Sequence, residues 1–128
     1  MRSRPASVVC VVRGGAQEAR ALVEEFFTSR GWTPRAQVDG TIAYEHGSRR
    51  RTILLGALAG RRFFLTAVTE VREGDHAAEI HYRWGPAAGL ALGGTIGRSR
   101  AERVHTQLAA ELEAQLERSG HLLQVRRR

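Results

Sequence analysis

Three short glycine-bearing turns, "HGSR", "AGRR" and "EGDH", cut residues 41–84 into four runs of similar length. The runs are 41–47, 51–59, 62–72 and 76–84, each carrying β-branched, aromatic or aliphatic side chains. Glycine supplies the positive φ that tight turns require, so this spacing predicts four strands in an antiparallel meander. Any fold for the chain has to be built around that sheet.

The flanks add to it. Residues 7–13, "SVVCVVR", form a valine-rich run that is apolar at consecutive positions, as expected of a strand covered on both faces. "RGGAQ" then turns the chain into a helix over 16–30, with Ala19, Leu22, Val23, Phe26 and Phe27 at helical spacing. Gly31 is placed to stop this helix, and "WTPRAQVDG" reads as a loop. A second helix is predicted over 100–119, with Ala101, Val104, Leu108, Leu112 and Leu116 on one side. Ser99 and Glu102 have the spacing of a capping box at its start, and Gly120 ends it. Residues 124–128, which end in three arginines, read as a flexible basic tail.

The predicted order is β-α-β-β-β-β-α over one domain spanning 1–128. This is an α+β chain with a curved antiparallel sheet and two helices on one face. The order is similar to the helix-grip and TATA-binding-protein-like folds. That resemblance covers the whole chain, is topological, and rests on no motif. It implies a cavity between sheet and C-terminal helix, which Trp32, Phe63, Tyr82 and Trp84 would line. Such a cavity would take a small apolar ligand, as in a cyclase-type enzyme or a carrier.

Pairing the strands through two-residue turns sets Val71 against Ala78 and Thr69 against Ile80, on the face under the helices. The other face then receives Ile42, Tyr44, Ile53, Leu55, Phe64 and Val68, beside charged residues of the last strand. A contiguous apolar patch on a sheet face suggests a partner, here a second copy of the chain. The leading expectation is therefore a non-catalytic binding or assembly module that self-associates through this face. Glu70 and Glu79, opposed near His81, read as a solvated face rather than an acid–base pair. His105 reads as a boundary residue of the last helix.

The formal net charge is +7, and all twenty basic residues are arginine. Lysine and asparagine are absent and isoleucine is scarce, a bias towards GC-rich codons that suggests a GC-rich bacterial genome. The arginines therefore overstate any selection for phosphate. Their clusters at 49–51, 61–62 and 126–128 do not merge, and no aromatic interleaves with them as a base-stacking surface would. No specific nucleic-acid readout is expected, only weak attraction to anions or membrane surfaces.

The stretch "GPAAGLALGGTIGRSR", residues 85–100, holds five glycines. It lacks the lysine of a phosphate-binding P-loop and does not open a βαβ unit, so no nucleotide cofactor is implied. It reads as a loop entering the last helix, with a glycine-striped extra helical turn as the alternative. Arg98 and Arg100 beside the helix start are candidate anion contacts. No histidine pair has metal-ligand spacing, and no nucleophile motif is present, so no metal site or catalytic residue is assigned. The single cysteine, Cys10, reads as an inert core thiol in a reducing compartment. No run is long enough for a signal peptide or a membrane span, and the expected location is the cytoplasm.

Overall fold

A computed structural model describes residues 7–46, 65–84 and 94–127, with residues 94–101 described by backbone alone. In these residues the chain is mixed α+β. One antiparallel sheet has six strands and two helices pack against it. The elements in chain order are β1 (Ser7–Arg13), α1 (Ala16–Thr28), β2 (Thr33–Ala36), β3 (Ile42–His46), β4 (Leu65–Glu73), β5 (Ala77–Arg83), α2 (Gly94–Arg118) and β6 (Leu122–Arg127).

The strands lie in the order β2-β3-β4-β5-β1-β6. The N-terminal strand is therefore interior, between β5 and the C-terminal β6. This accounts for its valine run: Val8, Cys10 and Val12 face the helices, and Val9 on the opposite side is also buried. The expected loose tail at 124–128 is corrected here, since residues up to Arg127 continue β6 along β1. The alternation of Leu122, Val125 and Arg127 toward the helices was masked in the sequence by a register shift between Val11 and Val12. Residues 33–36, read as part of a loop, form the short edge strand β2, all of it exposed and with Pro34 inside it. An edge strand tolerates proline because one side of its backbone is unpaired.

Both helices end on glycine in the same way. At the end of α1, Trp32 N–H donates to Phe27 O (3.0 Å) and Gly31 N–H to Thr28 O (3.1 Å), with Gly31 at φ 86°. This Schellman closure brings Trp32 against Phe27, ring centroids 5.5 Å apart. The helix stop thus places an aromatic side chain in the core. At the end of α2, His121 N–H reaches Leu116 O (2.9 Å) and Gly120 N–H reaches Glu117 O (3.0 Å).

The C-terminal helix starts earlier than the capping-box spacing implies. Its backbone is helical from Gly94, so Ser99 lies inside it and cannot cap it. Of the glycine-rich stretch, residues 85–93 lie outside the described residues, and the rest is helix rather than loop.

The core lies between the helices and one sheet face. Ala19, Val23, Phe26 and Phe27 from α1 meet Leu108, Ala109, Leu112 and Leu116 from α2 over Cys10, Ala67, Ile80 and Tyr82. Phe27 is the hub: it stacks on Tyr44 at 4.5 Å and 14° and also meets Phe26, Trp32 and Tyr82. Among the described residues, no helix is long and apolar enough to cross a membrane.

Candidate functional site

The β4–β5 hairpin turns at Asp75 and His76, with Gly74 N–H bonded to Ala77 O at 2.7 Å. Its register is therefore two residues further along than expected: Val71 faces Ile80 and Thr69 faces Tyr82. A slip of two keeps every side chain on its expected face, whereas a slip of one would reverse them. β3 does reverse. It pairs directly with β4, Tyr44 opposite Ala67, rather than through an intervening strand over 51–59. Ile42 and Tyr44 consequently lie on the helix side, and Tyr44 is fully buried. Of the six residues expected on the outer face, Val68 is placed there, and Ile53, Leu55 and Phe64 lie outside the described residues.

On the helix side, three of the four expected cavity residues come together. Trp32, Tyr82 and Trp84 are buried in one cluster, while Phe63 lies outside the described residues. Between them sits a residue that the sequence reading placed at the boundary. His105 is only 1% exposed. Its imidazole stacks on the Trp84 indole, with centroids 5.4 Å apart and planes at 7°. Its Nδ1 lies 2.6 Å from the Tyr82 hydroxyl. His105, Leu108, Leu112 and Leu116 recur at helical spacing, so the signal was present one position along from the stripe that was read.

Burial sets the protonation of this pair. It pushes the His105 pKa down to about 4 and drives that of Tyr82 well above its ordinary value. The histidine is therefore neutral and the tyrosine keeps its proton. Which of the two donates depends on the imidazole tautomer; with the hydroxyl donating to Nδ1, the imidazole proton rests on Nε2. That Nε2 is buried and unpaired among the described residues. An unpaired buried donor costs about 1–3 kcal/mol.

Beside this cluster a cleft of about 130 Å³ opens between the sheet and α2. Val8, Trp84, Ala109 and Ala110 line it, together with the Glu113–Arg127 ion pair, which bridges helix and edge strand. Trp84 is common to the cleft and the His105 stack.

The outer face of the sheet is a grid of polar side chains interrupted by Val68, Val9 and Val11. One row across the strands runs Val68, Arg83, Ser7; the next runs Glu70, His81, Val9, Arg126; the third runs Arg72, Glu79, Val11, Gln124. Glu70 is thus opposite His81 rather than Glu79, which corrects the expected carboxylate pair. Arg72 reaches Glu70 at 3.1 Å, and Glu79 engages both His81 and Arg126 at 2.9 Å. Hydrogen bonding to His81, and then to Arg126, holds the Glu79 carboxyl below the ordinary carboxylate range. Among the described residues no group of three His, Cys, Asp or Glu could hold a metal ion.

The remaining candidates separate. Arg98 and Arg100 follow the first turn of the backbone helix that begins at Gly94, rather than flanking its first free N–H groups. Their side chains are outside the described residues. Arg126 and Arg127, expected in a tail, are ion-paired within the fold.

The chain matches no protein-family model and no curated protein. Its function has to be argued from these side chains.

Proposed function

We propose that the protein is a small-molecule binding protein of the helix-grip kind, lodging a small apolar ligand between its sheet and its C-terminal helix. The observation that carries this reading is the cleft lined by Val8, Trp84, Ala109 and Ala110. An aromatic wall with two alanines opposite it leaves room for a flat group. The volume, about 130 Å³, is close to the ~150 Å³ that holds a benzene ring. It is well below the ~300 Å³ at which drug-sized sites begin, so the ligand is a single ring or a short branched chain.

The buried polar pair supports the same reading. A sheet–helix layer meant only for packing would be dry and apolar. This one contains a tyrosine–histidine pair whose Nε2 is unpaired among the described residues; the pair does not itself line the cleft but stacks on the indole that does. Unpaired buried polar groups in folded proteins call for an explanation, such as a catalytic role or a bound water or ion.

The reading that the protein assembles through its outer sheet face has less behind it. Within the described residues that face retains only Val68 of its proposed apolar set, amid ion-paired side chains.

Saturation-transfer NMR with phenol, indole and cyclohexanone tests the proposal. At least one should bind the unmodified protein, and Ala110→Trp, which fills the cleft from an exposed helix position, should abolish the signal. Equal signals from both proteins, or none from any compound at millimolar concentration, would remove the cleft from consideration.

A further inference from the structure

Three side chains meet where α2 hands the chain on to β6. The last turn of α2 closes at Gly120, at φ 78°, with His121 N–H bonded to Leu116 O at 2.9 Å. This turn brings Ser119 and His121 together, the serine hydroxyl oxygen 2.7 Å from His121 Nδ1. Arg13 N–H, bonded to His121 O at 2.8 Å, pins the histidine beside the end of β1, just before α1 begins. Glu18, in the first turn of α1, reaches back so that its Oε1 lies 3.3 Å from His121 Nε2. Gly14 leaves the space for that carboxylate, since a Cβ there would come 2.5 Å from Glu18 Oε2.

The order serine, histidine, carboxylate decides what this chain of contacts can do. An ionised carboxylate only accepts, so the proton of a neutral imidazole sits on Nε2 toward Glu18, and Nδ1 is left to accept from the serine hydroxyl. The Leu116 carbonyl accepts from the same hydroxyl at 3.0 Å, and Nδ1 at 2.7 Å is the nearer acceptor. A hydroxyl held to an imidazole that a carboxylate orients is the arrangement that makes serine a nucleophile. Ser29, in the turn that ends α1, is the contrast: it bonds Phe26 O at 3.0 Å in the same way, but its other neighbour is the Arg30 guanidinium. Ser119 and Glu18 are exposed and the His121 side chain is 24% exposed, so a substrate in solution reaches the hydroxyl. The backbone limits which substrate. The N–H groups of Ser119, Gly120 and His121 are bonded to the carbonyls of Gln115, Glu117 and Leu116, so none of them is free to stabilise an oxyanion. The leaving group must therefore be a good one.

We infer that Ser119 is a nucleophile that accepts the acyl group of aryl esters and similarly activated esters, with His121 as its general base and Glu18 as the residue that positions the imidazole. The Ser119 oxygen adds to the acyl carbon as its proton passes to His121 Nδ1. The bond from that carbon to the leaving oxygen then breaks, and the imidazolium gives its proton to the leaving oxygen. Water adds to the acyl-serine through the same base, releasing a carboxylic acid and restoring the hydroxyl. None of the three residues lines the cleft beside α2, so this activity does not rest on a ligand bound there.

Incubation with p-nitrophenyl acetate tests the inference, with nitrophenolate release followed by absorbance and the acid-quenched protein mapped by mass spectrometry. The chain has no lysine and Cys10 is buried, so competing nucleophiles are few. Acetyl should appear on Ser119 and not on Ser29, a comparison within the unmodified protein that needs no variant to fold. Ser119→Ala should abolish the acetylserine. His121→Gln should slow acetylation about a hundredfold, the size of a general-base contribution. Glu18→Gln should slow it by a smaller factor. It should also let the imidazole proton redistribute between Nε2 and Nδ1, read in long-range ¹H–¹⁵N spectra that show the Nε2–H form in the unmodified protein. No acetyl on Ser119, equal acetylation of Ser29, or an unchanged rate in His121→Gln would each overturn the assignment.

Discussion

The Tyr82 hydroxyl and His105 Nδ1 meet at 2.6 Å in the interior, joining the centre of the sheet to the C-terminal helix through one hydrogen bond. Both residues are at most 1% exposed. The bond is therefore made where water cannot replace it, and each partner depends on the other for satisfaction.

The first prediction concerns pH. The His105 pKa falls from 6.5 to about 4 because burial penalises its charged form. Between those values the unfolded chain binds a proton that the folded chain does not. Stability should accordingly be full above pH 6.5 and decline as pH falls toward 4, by on the order of 3 kcal/mol. Urea unfolding across pH 4–7 measures this. His105→Leu should flatten the His105 part of the slope, and a slope unchanged in that variant would count against the assignment.

A second prediction isolates the hydrogen bond. Tyr82→Phe leaves His105 Nδ1 buried without its partner and should cost about 1–3 kcal/mol. In the double variant Tyr82→Phe/His105→Leu that loss should largely disappear, because no polar atom is left stranded. Additive single-variant losses would show that the two residues act independently.

How much of this was legible beforehand depended on which interactions were local. The strands at 7–13, 42–46, 65–73 and 77–83 and both helices were signalled by turn glycines and apolar periodicity, which act over a few residues. The faces of β4 and β5 followed as well, because misplacing their turn by two residues preserves parity. β3 came out reversed because its face was counted through residues 51–59, whereas it pairs with β4 directly. β6 went unread because its partner is β1, more than a hundred residues away, and its alternation is broken by a bulge. His105 was misjudged for a different reason: histidine resembles a surface residue until its partner, Tyr82, is known to lie beneath it. Arg126 looked like tail charge until β6 carried it to Glu79.

The third prediction tests a helix stop. Gly120 sits at φ 78°, and a Cβ there would meet nothing within 4 Å. Gly120→Ala therefore introduces backbone strain and no clash, and should cost about 1–2 kcal/mol. Thermal melts read the shift. No loss would mean that the turn into β6 relaxes to a different geometry.

The fourth prediction uses the single cysteine as a reporter on β6. Cys10 is fully buried opposite Val125, and burial raises its thiol pKa to about 12. In the intact protein it should resist alkylation at pH 8. Deleting residues 121–128 removes its neighbouring strand and should expose it to rapid modification. A deletion that leaves both the labelling rate and the melting temperature unchanged would restore the view of these residues as a tail.

The pairing of β1 with β6 also has a mechanical consequence. Val8 lies opposite Arg127, so the outer ends of the two strands are adjacent and the strands run antiparallel. A force drawing these ends apart would load the ladder one rung at a time, as in opening a zip, rather than shearing all the rungs together. Held from residues 7 and 127, the protein should therefore yield at low force, starting at Arg127. The same adjacency would let a short peptide join the two ends, so that new ends could be cut elsewhere without separating β1 from β6.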